Sequence, residues 1–128
     1  MIKLLLVTPD KGPFNEFALA LAHNDDVELS WAESGQRALD MLPNTSLDLV
    51  VVDEKLGDMT GMEFIETLVG ANPMINCAAV SPLPPDEFHE ISEGLGILAQ
   101  LPVQPGANDA ENLLKLLKHL KNLLQPKT

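Results

Sequence analysis

The chain has 128 residues, one domain's worth, and a fold of that size buries about two-thirds of its unfolded surface, so a single hydrophobic core forms without staples. With 45% apolar and 21% charged residues and a net charge of −11, the composition excludes a disordered tail or a collagen-like fibre and argues against direct binding to nucleic acid or anionic lipid. No apolar run reaches the roughly 18 residues of a membrane span, and the start MIKLLLVTPD has one lysine, a short apolar stretch and no small-residue cleavage site, so a cytoplasmic, uncleaved chain is expected.

Strand-length apolar runs alternate with helical patterns about five times, and no internal repeat or low-complexity linker interrupts them. The first strand is expected over residues 3–8. A helix over 13–22 follows, with Pro13 in its first turn and Phe14, Phe17, Ala18 and Leu21 at helical spacing. The second strand falls at 27–32, late in which Trp31 reads as a partly buried packing residue. A helix over 34–42 stops before Pro43, and the third strand occupies 49–52. The next helix runs over 60–69 and ends at Gly70. The fourth strand, 76–81, contains Cys77, the only cysteine; with no second one, a disulfide or C-x-x-C site is impossible and Cys77 reads as a small core residue. The helix over 86–93, hemmed by Pro84, Pro85, Gly94 and Gly96, is expected to be the weakest. A fifth strand spans roughly 96–101, and Asn108 three residues before Glu111 resembles a capping box opening a last helix that runs to about Leu124.

Such alternation predicts a single α/β domain: a five-stranded parallel sheet, doubly wound, with helices on both faces. The charge is unevenly spread. Residues 1–110 carry four bases against eighteen acids, net −14, whereas residues 111–128 carry four lysines against Glu111, net +3. At 100° per residue, Leu113, Leu116, Leu117, Leu120, Leu123 and Leu124 share one arc of the last helix and are expected to face the sheet. Lys115, Lys118 and Lys121 point away, with Leu114 between the directions of Lys118 and Lys121. That face reads either as a solvated lysine surface with one stray leucine or as a docking face of Leu114, Lys118 and Lys121.

In open parallel sheets, ligands sit beyond the carboxyl ends of the strands. Those ends are Thr8-Pro9-Asp10, Asp53-Glu54-Lys55, Ser81-Pro82 and Val103-Gln104-Pro105. Asp53 alone is an acid directly following a buried apolar strand. The three histidines, His23, His89 and His119, have no common ligand spacing and read as surface residues. Ser81 lacks a G-x-S-x-G context, and Gly12 stands alone after the first strand, which counts against a hydrolase and a nucleotide site.

The segment LDLVVVDEKLGDMTGMEFIETL resembles the strand–phosphoacceptor–loop–helix segment of response regulator receiver domains of two-component systems, and the resemblance extends over residues 1–128. It puts Asp53 in the phosphoacceptor position, with Gly57, Met59 and Gly61 falling as in the family's loop. Ser81 matches the hydroxyl residue ending the fourth strand, and Pro105 the proline after the family's lysine. The resemblance implies a flavodoxin-like sheet in the order 2-1-3-4-5, with the fifth strand at an edge, where Pro102 is tolerated. It also implies an active-site pocket of Thr8, Pro9, Asp10, Lys55, Ser81, Gln104 and Pro105 around Asp53.

The sequence departs from the family where the chemistry lies. The acid pair that binds magnesium is Thr8 and Pro9, with Asp10 one position late, so Asp53 and Asp10 are the only candidate ligands and magnesium is expected to bind weakly. The lysine is Gln104, and the switch aromatic is Leu101. The expected function is therefore a receiver-type signalling domain of a phosphorelay, a pseudo-receiver that acts by protein contacts with phosphorylation at Asp53 weakened or lost, and no enzyme beyond self-phosphorylation and dephosphorylation. Its partners would be a histidine kinase, a phosphorelay protein or an output protein, with a homodimer through the last helix and edge strand a further expectation. Two alternatives stay open: a fully working magnesium-dependent phosphoacceptor, and a small flavodoxin-like enzyme or carrier.

Overall fold

Runs such as Leu4-Leu5-Leu6-Val7 and Leu49-Val50-Val51-Val52 are apolar at every position, and both are wholly buried, because parallel strands in the middle of a sheet have helices on both sides. The computed structural model describes residues 2–44 and 46–124, with side chains except those of 44 and 121–124. Its strands are β1 (Ile2–Val7), β2 (Val27–Ala32), β3 (Leu49–Val52), β4 (Asn76–Val80) and β5 (Ile97–Leu101). They form one parallel sheet in the order β2-β1-β3-β4-β5. The helices are α1 (Asn15–Ala22), α2 (Gly35–Met41), α3 (Gly61–Ala71), α4 (Pro85–Ser92) and α5 (Ala107–Leu124).

Alternate strand residues separate into two core layers, as a period of two requires. Leu4, Leu6, Leu49 and Val51 pack with Phe14, Phe17 and Leu21 and with Ala110, Leu113, Leu114 and Leu117 of α5. Leu5, Val7, Val50 and Val52 pack on the other face with Ala38 of α2, Phe64, Ile65 and Leu68 of α3, and Phe88 of α4. The sheet is thus doubly wound, with β3 in its centre and β2 and β5 at its edges. The edge strand β5 is irregular: Cys77 pairs with Ile97 but Ala78 pairs with Ala99, so Leu98 is an extra residue and the register shifts by one.

Three helix details differ from the sequence expectation. Gly70 does not end α3, which continues through it to Ala71. The last helix begins at Ala107, and the residue that reaches back is Asp109, whose carboxylate accepts the Gly106 N–H at 2.8 Å, in place of the expected pair of Asn108 as cap and Glu111 reaching back to it.

The third difference concerns the face of α5. Leu114 is buried in the monomer core, 5% exposed, and Leu116 is 38% exposed. Ala110, Leu113, Leu114 and Leu117 follow an i, i+3, i+4, i+7 spacing, and α5 packs against α1 as well as against the sheet. The second neighbour turns the buried stripe toward Leu114. The docking face drawn from Leu114 therefore loses its apolar centre. Of its lysines, Lys118 pairs with Asp26 at 3.3 Å on the surface, and the Lys121 side chain lies outside the described residues.

Candidate functional site

The chain leaves β3 directly into Asp53, and its N–H donates to the Val7 carbonyl at 3.0 Å, extending the sheet by one rung. The following loop is a tight turn. Leu56 N–H donates to the Met59 carbonyl at 2.9 Å, and Gly57 between them has φ +86°, a left-handed conformation that glycine alone adopts without a Cβ penalty. Gly61 N–H then returns to the Glu54 carbonyl at 2.9 Å. At Gly61 a Cβ would collide with the Asp53 carbonyl oxygen, so this glycine lets the start of α3 press against the site. Thr60 and Glu63 close a reciprocal capping box at the same point: Glu63 N–H donates to Thr60 Oγ1 at 3.1 Å and Thr60 N–H to Glu63 Oε1 at 3.0 Å.

Asp58 ties this loop to a second helix. Its carboxylate accepts the N–H groups of Gly35 at 3.0 Å and Gln36 at 2.9 Å, at the start of α2. The Gln36 and Gly35 amides hold its carboxyl below the ordinary value of 3.8. Met59 lies over Gly35 so closely that a Cβ there would overlap its side chain. Sequence reading missed both contacts, which join residues over twenty positions apart.

Asp53 is half-buried. Its Oδ1 accepts the Glu54 N–H at 2.7 Å, and its Oδ2 lies 2.7 Å from the Thr8 hydroxyl. That hydroxyl is itself engaged: it receives the Asp10 N–H at 3.1 Å and stands 2.9 Å from the Asp10 carbonyl. The hydroxyl has a single proton, and the shorter contact, to the charged Asp53 carboxylate, claims it, so the Thr8 side chain links the end of β1 to Asp53. The Asp10 carboxylate turns the other way and accepts the Gly12 N–H at 3.0 Å. Pro9 and Asp10 are exposed.

A cavity of about 310 Å³ opens beside Asp53, and Lys55, Thr60, Met62, Ser81, Leu83, Phe88 and Ile91 are among the residues around it. Asp53, Lys55 and Ser81 therefore share one cavity. Gln104 does not join them. It is exposed, has φ +59°, and lines a different cavity with Gly12, Pro13, Asn15, Glu16 and Pro105. Leu101 is buried and its carbonyl accepts the Ser81 N–H at 3.0 Å.

Cys77 is buried, and burial pushes its thiol up to about 12. Trp31 is half-buried, as expected, and carries the Lys11 ammonium 4.9 Å above its ring. His23, His89 and His119 are exposed. Among the described residues no three His, Cys, Asp or Glu side chains gather where they would hold a metal ion, and no helix is long and apolar enough to cross a membrane.

A parallel sheet in this order, with an aspartate at the carboxyl end of its central strand and a serine at the end of the next, is the arrangement of a receiver. The model of the response regulator receiver domain matches residues 5–97, and the chain belongs to that family. Solved structures agree in fold. The chain superposes on a two-component response regulator from Legionella pneumophila with a TM-score of 0.77 at 20% identity, covering 93% of this chain and 99% of that one. The chemotaxis response regulator CheY4 of Vibrio cholerae gives 0.79 at 18% identity, covering 91% and 98%. The RcsB response regulator of Salmonella typhimurium gives 0.79 at 14% identity, with all of this chain covering 66% of that one. No curated protein sequence matches the chain.

Proposed function

We propose that this receiver domain signals by contacts with other proteins inside the cell, and that phosphoryl transfer to Asp53 is weakened or lost. The observation that carries the reading is the 2.7 Å contact between the Thr8 hydroxyl and Asp53 Oδ2, with the Asp10 carboxylate turned to the Gly12 amide. Where the resemblance puts a pair of acids beside Asp53, this chain has Thr8, whose hydroxyl contacts it, and Pro9.

Magnesium takes near-octahedral oxygen coordination and dehydrates reluctantly, so a single carboxylate with no second acid beside it holds it weakly. With Asp53 alone, these residues do not fit the ion, and no step is routed through it. Gln104, exposed on a different cavity, supplies no cation either. Phosphoryl transfer depends on neutralising the transferring oxygens, and losing one such contact typically costs about 10²–10³ in rate.

The partners this reading implies are a histidine kinase, a phosphorelay protein or an output protein. No turnover of a separate substrate is part of it. The test is a magnesium titration followed by beryllofluoride, a phosphoryl mimic, read at the amides of Asp53, Ser81 and Leu83. The reading predicts no saturable shift at millimolar magnesium. Tight magnesium-dependent binding of the mimic would instead make this a working phosphoacceptor.

A further inference from the structure

We infer that Gln100 is a positioning residue that clamps the loop between β4 and α4 in one conformation, so that a group placed on Asp53 is not relayed to α4. This concerns transmission, and it holds whether or not Asp53 accepts a phosphoryl group.

The clamp begins with the bulge in β5. Because Leu98 is an extra residue, Gln100 pairs with Ala79 and Leu101 with Val80. Paired residues share a face, so Gln100 stands on the side of Ala79, the face where α4 meets β5, while Leu101 turns into the opposite core layer. Without the bulge the apolar Ala99 would hold that place, since a one-residue slip exchanges the two faces. From it the Gln100 amide donates to the Leu83 carbonyl at 2.8 Å and lies 3.2 Å from the Ser81 carbonyl. The Leu83 N–H in turn donates to Ser81 Oγ at 3.2 Å, and the Ser81 N–H is held by the Leu101 carbonyl at 3.0 Å. Three residues of loop thus carry four tethers, and two of them come from one side chain.

The position of this loop matters because it separates two cavities. On one side lies the cavity of Asp53, Ser81, Phe88 and Ile91; on the other, one lined by Ser81, Leu83, Gln100, Leu101 and Val103. A group added to Asp53 shares its cavity with Phe88 and Ile91 of α4, and α4 can move with it only if the loop that carries it, Ser81 to Leu83, moves too, since α4 starts at Pro85, two residues on. Carbonyl tethers oppose such a movement directly, because shifting Ser81 or Leu83 strands a half-buried amide without acceptors. Leu101 is buried and offers no second donor.

The test is amide hydrogen exchange on the full chain, comparing wild type, Gln100→Met and Gln100→Lys. Methionine keeps the length and removes the donors, whereas lysine keeps a donor within reach of two carbonyls. The clamp predicts that exchange at Leu83 rises roughly tenfold to a hundredfold in Gln100→Met, from the loss of two hydrogen bonds. Amides of β1 and β3 keep their rates, and Gln100→Lys stays near wild type. Unchanged exchange at Leu83 in Gln100→Met, or uniformly faster exchange across the sheet, overturns the inference. A second arm reads relay with magnesium alone as the probe, in a Thr8→Asp, Pro9→Asp background. Amide shifts are expected to stay at residues 8–10 and 53–55 with Gln100 present and to extend to 81–91 with Gln100→Met. Shifts reaching α4 while Gln100 is in place contradict the clamp. Failure of magnesium to bind this background contradicts the account of Thr8 and Pro9 given above, and the exchange comparison still decides the clamp.

Discussion

Thr8 Oγ1 lies 2.7 Å from Asp53 Oδ2, where β1 and β3 end side by side. A hydroxyl at that point donates to the carboxylate, whereas a carboxylate there would repel it. Replacing Thr8 by valine keeps the shape and removes the donor; because Asp53 is half-buried and retains access to water, the expected cost is about 1 kcal/mol in urea unfolding. Replacing Thr8 by aspartate puts two like charges in contact, with a similar loss that millimolar magnesium reverses. A Thr8→Asp variant whose stability ignores magnesium would contradict this account of the site.

Gly61 and Gly35 are both crowded, but by different things. A Cβ at Gly61 meets the carbonyl oxygen of Asp53, which is backbone at the end of a buried strand and has nowhere to go. Gly61→Ala is expected to destabilise by about 2–3 kcal/mol and to shift the Asp53 amide resonance. At Gly35 the obstacle is the Met59 side chain, so Gly35→Ala is expected to cost less, and adding Met59→Ala recovers part of the loss. Equal losses for the two single variants would show that Met59 is as immobile as backbone.

Asp58 fastens the loop after Asp53 to α2, and the effect depends on pH. Its carboxyl is held below 3.8 by the Gln36 and Gly35 amides. A group whose pKa is depressed by folding stabilises the fold above its unfolded value and loses that contribution as pH falls through the lower folded value. Asp58→Asn is therefore expected to lower the unfolding midpoint modestly near neutral pH, with the difference from wild type shrinking below about pH 4. A difference that persists undiminished in acid would show that the charge of Asp58 is not what holds α2.

Much of this arrangement is legible in the sequence because it follows from local pattern. The nearly all-apolar runs mark β1, β3 and β4, and the alternation with helical spacing yields the doubly wound sheet. The acid directly after Leu-Val-Val-Val marks Asp53. What escapes is set by contacts between distant elements. Nothing local in Asp58 announces that it caps a helix twenty-two residues upstream of it, and nothing in Gln100 shows that a bulge at Leu98 aims it at Leu83. The face of α5 misleads for the same reason: helical phase finds an apolar arc but cannot tell how far α1 widens the buried side.

The leucines of α5 make that point measurable. Leu114→Ala empties part of the core shared with Phe17 and Leu21 and is expected to cost about 2–5 kcal/mol. Leu116, 38% exposed, is expected to tolerate alanine within about 0.5 kcal/mol. Urea unfolding of the two variants compares them directly, and a larger loss at Leu116 would restore the orientation first read from the helical phase.

The central claim is that Asp53 accepts phosphoryl groups poorly because the chain has Thr8 and Pro9 where the family has two acids, and because Gln104, exposed on a separate cavity, brings it no cation. The most direct measurement is the rate at which intact mass rises on incubation with a small-molecule phosphodonor and magnesium, for wild type, Asp53→Asn and the triple variant Thr8→Asp, Pro9→Asp, Gln104→Lys. The account predicts slow, magnesium-insensitive labelling of the wild type and labelling about 10²–10³ faster in the triple variant. Rapid magnesium-dependent labelling of the wild type, abolished in Asp53→Asn, would contradict it.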